Sequence, residues 1–556
     1  MDRDHKDTNI LIAYLSERNP FSEDNSSLRS IATGLVAEGN VNCEKCNEVG
    51  EKLVKSLKGI KVVEHTFRKK DQVVTLASKT AIKLKNDEVQ VNPQLMFQRL
   101  CVVVSAGRYE NPAQFFAYEM SSYPTSLFDQ SLLPRKANKP VLSQAIWSLI
   151  ENSQKDTSIS DNVHYVLDGG ALLHRVVWPP GVSYDSICSL YVQYLDRRYP
   201  QATIVFDGYD SNTPSTKDCT HMRRHECGPK VLFEPSMILS LKKDVFLSNK
   251  ENKQKFINQL ADTLERNGYS AIHAANDADV LIVKMAVAKA KTVPTVLVGE
   301  DTDLLVLLLH HAEVNACDLF FRPEPRQKDN TRKTWDIKKA KRTLGSDVCS
   351  LILFIHAVLG CDTTSRVHGL GKGISLKKAK SSAEFRKLAS VFNRHDAGKE
   401  EIVVAGEKAL LQLYNADSSS TLDALRYSKF CQKVASGKAS LQPENLPPTS
   451  SAAKFHSQRV YLQVQEWRGN TLQPQHWGWK LSNGAFIPIR MDLPPAHEKL
   501  MEIIRCNCKM DCSTLRCSCK KNGLECSAAC GFCKGESCQN SHVPDFDDDI
   551  DNANDV

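Results

Sequence analysis

The chain has 556 residues, of which 41% are hydrophobic and 25% charged, a composition that excludes a fibrous or wholly disordered protein. Because this length exceeds what one hydrophobic core usually supports, we expect several domains. The formal net charge is +7, although residues 544–556 carry six aspartates and no basic residue, so the rest of the chain is more basic still. Such an excess fits a polyanionic partner without requiring one.

The N-terminal region, residues 1–155, mixes short β-like runs with helical stretches, and we expect a mixed α/β region of unknown role there. Its first residues lack a positively charged segment followed by a long apolar run, so no secretion signal is expected. Further along, the longest nearly uncharged apolar run, 348–360, is too short to cross a bilayer and is typical of a buried helix. We therefore expect no membrane partner.

The pattern of the chain changes at His164, where strand-like and helix-like runs begin to alternate: HYVLDG, SICSLYVQYLDRRY, ATIVFDG and later PTVLVGEDTDLLVLLL. This alternation predicts an α/β fold with a parallel sheet flanked by helices, which we place at 156–395. The composition then predicts five further segments. In order they are a helical extension (396–435), a Pro- and Ser-containing linker (436–457), a Trp-containing connector (458–500), a cysteine-rich module (501–541) and a disordered acidic tail (542–556).

Aspartates follow the apolar strands of the α/β region. Asp168 ends the run YVLDG, Asp207 ends IVFDG, and Asp301 and Asp303 follow TVLVGE. Since parallel strands present their carboxyl ends at one edge of the sheet, these side chains are expected to meet in a crevice there. An isolated Asp-x-Asp pair would more often be a helix cap or a turn.

Three more acids accompany helices of the same region. Asp277 and Asp279 open the apolar run ANDADVLIVKMA, and Asp362 follows LILFIHAVLG. Seven acids in one crevice would repel each other strongly unless cations neutralised them. Ligands that are all oxygen favour Mg²⁺ or Mn²⁺, and two such ions about 4 Å apart could activate a water and stabilise the leaving oxygen of a phosphodiester.

The ordered motifs VLDG, VFDG, DAD, EDTD and GCD, spread over about residues 160–390, resemble those of the flap endonuclease and XPG-like 5′ nuclease superfamily, whose relatives are the PIN domains. The resemblance implies a PIN-like parallel sheet and a nuclease that hydrolyses DNA with two Mg²⁺ or Mn²⁺ ions. It assigns the role of metal ligand to Asp168, Asp207, Asp277, Asp279, Asp301, Asp303 and Asp362.

The sequence TTSRVHGLGKGISLKKAK, directly after Asp362, resembles the helix-two-turn-helix with which this family grips duplex DNA. Three glycines would allow close backbone approach and three lysines would add positive charge. These six residues are Gly369, Gly371, Gly373, Lys372, Lys377 and Lys378. In the position of the family's helical arch and its basic pair, the catalytic candidates are Lys217, Arg223 and Arg224.

The chain departs from the family pattern in three ways. About 160 residues precede the nuclease motifs, whereas the family's core usually begins at the chain's own N-terminus. The pair Asp277 and Asp279 stands where the family typically has glutamates, so metal geometry would shift slightly. The segment after Asp207 is divergent, so threading of a free 5′ end is not implied.

Nine of the 19 cysteines fall within 33 residues in the pattern C-x-C-x3-C-x4-C-x-C-x6-C-x3-C-x2-C-x4-C. Nine thiolates suffice for three Zn²⁺ ions when three sulfurs bridge, whereas a disulfide knot is disfavoured by the odd count. The predicted zinc ligands are Cys506, Cys508, Cys512, Cys517, Cys519, Cys526, Cys530, Cys533 and Cys538.

The cysteine spacing resembles the Tesmin/TSO1-like CXC domain, whose members bind DNA, and more distantly the pre-SET cluster of histone methyltransferases. The resemblance implies phosphate contacts by basic residues around the cluster. They are Lys509, Arg516, Lys520, Lys521 and Lys534. Arg516 stands where the CXC family usually has tyrosine, and a single copy is present, so DNA tethering is expected rather than sequence reading.

Two hypotheses compete with a DNA nuclease. One is a nuclear DNA-binding regulator whose nuclease-like core is inactive, and the other is an RNase, since PIN relatives cut RNA. The run KKAKR at 338–342 is either a nuclear localisation signal or a solvated helix face. Together with the DNA-binding motifs it predicts a nuclear protein.

Overall fold

The computed structural model describes the central part of the chain almost continuously and its two ends in pieces. The described residues are 2–17, 47, 51, 55, 80–84, 87–91, 112–496 without 122, 155–156, 161, 209–213, 219–227, 276, 325–332, 436–442 and 483, and then 506, 508, 512–514, 516–517, 520, 526, 533 and 538–540. The acidic tail expected at 542–556 lies outside the described residues.

The first described elements are a helix and a hairpin. Helix α1 spans Asp2–Glu17, and strands β1 (Thr80–Leu84) and β2 (Asp87–Val91) pair antiparallel, with Thr80 opposite Val91. A 3₁₀ turn at Pro112–Ala117 and helix α2 (Pro140–Gln154) precede the central sheet.

The core of the protein is a six-stranded sheet in the order β5-β4-β3-β6-β7-β8. All neighbours are parallel except β7 and β8, which are antiparallel. The strands are β3 (His164–Asp168), β4 (Thr203–Phe206), β5 (Ser270–His273), β6 (Thr295–Val298), β7 (Leu319–Arg322) and β8 (Trp335–Asp336). Every residue of β4 and β6 is buried, as expected for parallel strands covered on both faces.

Helices follow the strands on both faces. They are α3 (Gly169–Arg175), α4 (Tyr184–Arg198), α5 (Lys243–Ser248), α6 (Lys250–Arg266), α7 (Asp279–Lys289), α8 (Thr302–His311), α9 (Ile337–Leu344) and α10 (Ser346–Ala357). On β3, Leu167 faces the layer of α4 and α6, whereas its neighbour Val166 faces the layer of α7 and α8, because successive side chains of a strand point to opposite faces. The predicted α/β fold with a largely parallel sheet flanked by helices is confirmed.

The remaining helices pack onto the α7 and α8 side. They are α11 (Lys372–Ser381), α12 (Ala383–Val391), α13 (Lys399–Leu413), α14 (Leu422–Ala435) and α15 (Ser450–Trp467). A hairpin of β9 (Trp479–Ser482) and β10 (Ala485–Pro488) follows. Its Trp479 is buried against Leu462 of α15.

Two segments expected outside the α/β unit contribute to its main hydrophobic core. From the N-terminal side, Leu142 and Ile146 of α2 are fully buried, and α2 packs against α9 and α11. From the C-terminal side, α15 packs against α10 and α13, and its residues 450–457 overlap the segment where we expected a linker. Burial of apolar side chains along α15 explains why this polar-looking sequence is helical.

The apolar run 348–360 lies largely within α10, most of whose side chains are buried in the main core. Among the described residues, no helix combines the length and apolar character that a membrane span requires.

Candidate active site

The carboxyl ends of β3 and β4 bring two aspartates together. Asp168 is the N-cap of α3 and accepts a hydrogen bond from the Ala171 amide at 3.1 Å. Asp207 follows β4, and its Oδ1 accepts from the Ala278 amide at 3.0 Å. A Cβ added at Gly170 would lie 3.1 Å from an Asp168 oxygen and 3.6 Å from an Asp207 oxygen. The two carboxylates therefore lie beside the same point of backbone, where a larger residue would crowd the Asp168 side chain.

A second group forms where α7 begins. The Lys217 Nζ lies 2.5 Å from Asp277 Oδ1 and 3.0 Å from Asp279 Oδ2. Asp279 is the first residue of α7, where exposed amides and the helix dipole favour negative charge. Of the three basic residues expected near the scissile phosphate, Lys217 thus lies among the acids, whereas Arg223 and Arg224 lie outside the described residues.

A third group joins the end of β6 to the loop after α10. Asp301 is the N-cap of α8, Asp303 lies in the first turn of that helix, and Asp362 follows α10. One oxygen from each of these three carboxylates can be chosen so that all lie within 4.8 Å of one another. The Lys139 Nζ sits among them, 3.1 Å from Asp301, 3.0 Å from Asp303 and 2.9 Å from Asp362.

The electrostatics connect the three groups into one site. Burial, and then the charge of Asp279, raise the pKa of Asp168 to about 7. Burial, and again Asp279, raise the pKa of Asp277 to about 8 against the opposing effect of Lys217. The pKa of Asp279 is raised by burial and by Asp301 and Asp303. Acids from opposite ends of the crevice therefore repel each other.

The two lysines carry the compensating charge. Asp303, Asp301 and Asp362 raise the pKa of Lys139 although burial opposes this, and Asp279 and Asp277 do the same for Lys217. Lys139 and Lys217 in turn hold the pKa of Asp362 below its usual value. Each lysine thus keeps its proton and serves as a counter-cation.

This donor set fits divalent metal ions. The ligand atoms available in the crevice are carboxylate oxygens, which suit Mg²⁺ or Mn²⁺ rather than a thiophilic metal. The repulsion that raises the pKa values of Asp168 and Asp277 is the kind of cost that a bound cation removes. The structure brings all seven predicted ligands into this one electrostatically connected crevice.

A buried hydrogen-bonded chain extends from Asp303 away from the crevice. His356 Nε2 lies 2.8 Å from Asp303 Oδ1, and the Lys372 Nζ lies 3.1 Å from His356 Nδ1. The His356 ring is fully buried and stacks on Trp467 with ring centroids 5.6 Å apart. Burial and Lys372 lower the pKa of His356 well below its usual value, so a neutral ring donates to Asp303 and accepts from Lys372.

The position of Lys372 corrects one prediction. Its side chain is only 4% exposed, and besides His356 Nδ1 its Nζ donates to the His356 carbonyl oxygen at 2.6 Å. The expected phosphate contact by Lys372 is therefore wrong, because the first turn of α11 faces the core. Burial lowers the pKa of this lysine to about 8.

The other residues of the glycine loop are placed differently. Gly369 has a φ of +79°, a conformation that glycine adopts without strain, and both it and Gly371 are exposed. Gly373 lies in the first turn of α11. On the same helix Lys377 is exposed and Lys378 half-buried. These five residues remain predicted phosphate contacts.

Three site residues were not found from the sequence. Lys139 precedes α2, in the region to which we assigned no function. His356 lies within the run expected to be a buried helix, and Glu466 lies in α15, within the segment expected to be a Trp-containing connector. Burial raises the pKa of Glu466 to about 7, and the charge of Lys217 opposes this. Of these three residues, only His356 could have been suspected from the sequence, because it interrupts an apolar run.

The described cysteines of the C-terminal module cluster through their sulfur atoms. Cys506 Sγ lies 3.4 Å from Cys512 Sγ and 3.7 Å from the Sγ atoms of Cys526 and Cys533. Two sets of four sulfurs have metal-ligand spacing: Cys506, Cys508, Cys512 and Cys517, and Cys506, Cys512, Cys526 and Cys533. Cys506 and Cys512 belong to both sets, as bridging thiolates would. None of the described cysteines forms a disulfide.

The rest of the module is only partly described. Cys538 is buried beside this cluster, and Asn540 Nδ2 donates to Cys526 Sγ at 3.4 Å. Arg516 is exposed, whereas the Lys520 Nζ donates to the Ser513 carbonyl oxygen at 2.7 Å. Five predicted residues of the module lie outside the described part of the chain: Cys519, Cys530, Lys509, Lys521 and Lys534.

Comparisons with known proteins give one family and several distant structures. Residues 1–119 match the family "Domain of unknown function (DUF8702)". No curated protein matches the chain in sequence. The catalytic core of Rad2 in complex with DNA substrate is 14% identical over 57% of this chain and 83% of that chain, with a TM-score of 0.31.

Two structures from T5 are similar at the same level. The T5 D15 protein co-crystallised with metal ions is 13% identical over 55% of this chain and 98% of that chain, with a TM-score of 0.27. The T5 5′-exonuclease with divalent metal ions (zinc) bound has the same identity and coverage, with a TM-score of 0.28. At such TM-scores, the fold assignment rests on strand order and register and not on these likenesses.

Proposed function

We propose that this protein is a divalent-metal-dependent nuclease that hydrolyses DNA phosphodiester bonds, is structure-dependent in its choice of substrate, and is tethered to DNA by its cysteine-rich zinc module. The observation that carries the proposal is the convergence of acids from five segments of the chain in one crevice. They lie at the end of β3, directly after β4, at the start of α7, after β6 and after α10. Acids that served only as helix caps or in turns would not be expected to converge in one crevice.

The proposed ligands divide into two neighbouring groups. Asp301, Asp303 and Asp362 would hold one ion, since their oxygens already lie within 4.8 Å of one another. Asp168, Asp207, Asp277 and Asp279 would complete the second position. When bound, two such ions supply the Lewis acidity that activates a water and stabilises the leaving oxygen of a phosphodiester.

The side chains around these acids orient the ligands and receive the substrate. His356 holds Asp303 in one orientation by its 2.8 Å hydrogen bond, as partners of ligating carboxylates commonly do. Lys217 and Lys139 keep their protons, so both remain available as positive charge beside a phosphate. Lys217 lies in the segment where the family resemblance places such a residue.

The cysteine-rich module is proposed to bind three Zn²⁺ ions through nine thiolates and to hold the protein on DNA. The sulfur atoms shared between two four-cysteine sets support a multinuclear cluster. The exposed Arg516 supports contact with phosphates. This role requires neither sequence recognition nor a second copy of the module.

Nuclear localisation is part of the proposal, and the run KKAKR at 338–342 is its candidate signal. The Lys338 Nζ donates to the Ala316 carbonyl oxygen at 2.9 Å, and Lys341 donates to the His310 carbonyl oxygen at 3.3 Å. These two lysines of α9 are thus used in packing. A localisation signal at this helix would depend on Lys339 and Arg342.

Cleavage of labelled substrates tests the proposal. Wild-type protein in Mg²⁺ or Mn²⁺ should cut at least one of flap, duplex and single-stranded DNA, and the Asp301→Asn/Asp303→Asn variant should lose at least about 10³-fold in rate because two ligands become neutral amides. Cutting of RNA alone would favour the PIN-type RNase. If wild type cuts none of these substrates, the protein is instead an inactive DNA-binding regulator.

A further inference from the structure

Lys139 contacts the same three carboxylates that have the spacing of a metal site. Its Nζ lies 3.1 Å from Asp301, 3.0 Å from Asp303 and 2.9 Å from Asp362, which we call the aspartate triad. Oxygens of these three acids lie within 4.8 Å of one another. An ammonium has three N–H bonds, so each can meet one carboxylate. The lysine and a divalent ion would therefore compete for the same oxygens.

Asp303 presents one oxygen to a buried partner and the other to Lys139. Its side chain is 1% exposed, and its Oδ1 lies 2.8 Å from Nε2 of the fully buried His356. The His356 ring is held by stacking on Trp467 and by the Lys372 Nζ at its other nitrogen. The Oδ2 of Asp303 lies 3.0 Å from the Lys139 Nζ. A divalent ion ligated by Asp303 would therefore take the oxygen that Lys139 holds.

The other two carboxylates of the aspartate triad are positioned by the backbone. Asp301 is the N-cap of α8, and its Oδ1 accepts a hydrogen bond from the Asp303 amide at 3.1 Å. Asp362 follows Cys361, whose amide donates to the hydroxyl of the buried Thr364 at 3.0 Å. These contacts do not involve Lys139, so the arrangement of the acids does not depend on the lysine alone.

Lys139 is the partner that can move. Its carbonyl oxygen accepts the amide of Leu142, a fully buried residue of α2, at 3.0 Å, so its backbone stays with that helix. Its side chain is 14% exposed, and a lysine carries its ammonium on a flexible four-carbon stem. The ammonium can therefore leave the aspartate triad without a change in the fold. Lys139 also precedes the acid motifs, so none of them implies it.

An ammonium and a divalent ion would not share the aspartate triad. Oxygen ligands hold Mg²⁺ at about 2.1 Å, well inside the 2.9–3.1 Å that separate the Lys139 Nζ from the same carboxylates. The two cations would then lie within a few ångströms of each other, where like charges repel strongly in a partly buried site. Binding of the ion therefore requires the Lys139 ammonium to move.

We propose that Lys139 is an exchangeable internal cation, whose ammonium gives up the aspartate triad when a divalent ion binds and then becomes available to a phosphate of the substrate. The inference rests on the proposed nuclease function, since it takes the aspartate triad as metal ligands. While the three N–H bonds of Lys139 are directed at carboxylates, none remains for a phosphate oxygen. Lys139 would thus set the metal concentration at which the site fills and would link metal loading to substrate contact.

Labelling of lysine amines in the zinc-loaded full chain tests the exchange without relying on cleavage. The protein is treated briefly with an acetylating reagent at a series of Mn²⁺ concentrations, and mass spectrometry of its peptides measures acetylation at each lysine. Acetylation of Lys139 should rise severalfold as Mn²⁺ binds, because three carboxylates no longer cover its ammonium. The internal control is Lys291, which pairs with Glu313 and lies just before β6, at the edge of the sheet opposite the crevice. Its acetylation should not change.

Lys139→Met is the matched variant, since it keeps the stem and removes the ammonium. In calorimetric titration it should bind Mn²⁺ roughly tenfold more tightly than the wild type, because no internal cation has to be displaced. The difference should persist in about 1 M salt, where the Debye length is about 3 Å and repulsion across the crevice would be screened. Lys291→Met should bind Mn²⁺ as the wild type does.

Two results would overturn the inference and leave the nuclease proposal intact. One is equal acetylation of Lys139 with and without bound Mn²⁺, and the other is equal Mn²⁺ affinity of the wild type and Lys139→Met. If Lys139→Met does not fold, the labelling of the wild type decides alone. A wild type that binds Mn²⁺ and releases Lys139 but cuts no nucleic acid would contradict the nuclease proposal and support the exchange.

Discussion

The carboxylate crevice and the cysteine cluster are two candidate metal sites built in opposite ways. The acids come from positions as far apart as Asp168 and Asp362, and the parallel sheet brings them together with two lysines already compensating their charge. The cysteines lie within 33 residues, and their packing consists largely of contacts between sulfur atoms. The crevice is thus formed by the fold of the α/β unit, whereas the structure of the cysteine module is expected to depend on the metal that its sulfurs bind.

This difference predicts different responses to metal removal. The crevice should survive without metal, because Lys139 and Lys217 replace part of the missing positive charge. The cysteine module should not, because a small metal-bound domain gains its folding free energy from the metal itself.

The largest expected effect is in the module. Cys506→Ser/Cys512→Ser removes the two sulfurs shared by both four-cysteine sets, and the variant should lose most of its bound zinc and the DNA affinity due to the module. Zinc content by mass spectrometry and DNA binding measure the change. Cys317→Ser, at a cysteine outside the module, is the control. Retention of all zinc by the double variant would contradict the shared-ligand arrangement.

The next largest effect is expected at the buried chain behind the crevice. His356→Ala leaves Asp303 and Lys372 without their common partner and opens space beside Trp467, so the free energy of unfolding should fall by about 3 kcal/mol. Denaturant unfolding of the metal-free protein measures it.

A double variant sharpens this prediction. Adding Lys372→Met to His356→Ala removes the unpaired ammonium. The loss of unfolding free energy in the double variant should therefore be smaller than the sum of the losses in the two single variants. Strict additivity would show that His356 and Lys372 do not act as one network.

A smaller effect is expected for Lys139→Met. Without this lysine, Asp301, Asp303 and Asp362 lose their shared counter-cation, so the metal-free protein should be destabilised by about 2 kcal/mol; two of these acids are more than one-third exposed and partly screened. Added Mn²⁺ should restore most of the loss. Lys291→Met, which breaks an exposed pair with Glu313, should cost much less. Equal losses of stability for the two variants, with no recovery in Mn²⁺, would show that Lys139 is not a counter-cation of the crevice.

The last prediction is a dependence of stability on pH, which is small per pH unit but extends over several pH units. The folded-state pKa values of Asp168 and Asp277 are raised from 3.8 to about 7 and about 8, so their contribution to stability is present below about pH 4 and is lost as the pH rises through those values. Each proton contributes at most about 1.4 kcal/mol per pH unit. Asp168→Asn should flatten the fall in stability of the metal-free protein between pH 5 and pH 7. An unchanged slope would mean that Asp168 is not held protonated by its surroundings.

The sequence predicted the sheet and the acids well because both follow simple rules. Apolar strands such as TIVF and TVLV are recognisable by composition, and residues at the carboxyl ends of parallel strands meet by topology. That rule predicts Asp168, Asp207 and Asp301 as neighbours from the sequence alone.

The rest depended on packing between distant segments, which no local pattern reports. Lys139 reaches the crevice only because α2 packs on α9 and α11. Lys372 was expected to contact DNA because of its place in the glycine motif after Asp362, but in the structure it is buried and hydrogen-bonded to His356. The helix α15 was missed where polar residues such as Ser450 and Ser451 obscured its apolar face.

The central claim is that the acids of the crevice converge to bind divalent cations. Calorimetric titration of the zinc-loaded full chain with Mn²⁺ tests it most directly, with Asp301→Asn/Asp303→Asn as the comparison. The account predicts Mn²⁺ uptake by the wild type, with release of protons, and its loss in the variant. Absence of uptake by the wild type, or equal uptake by the two proteins, would contradict it.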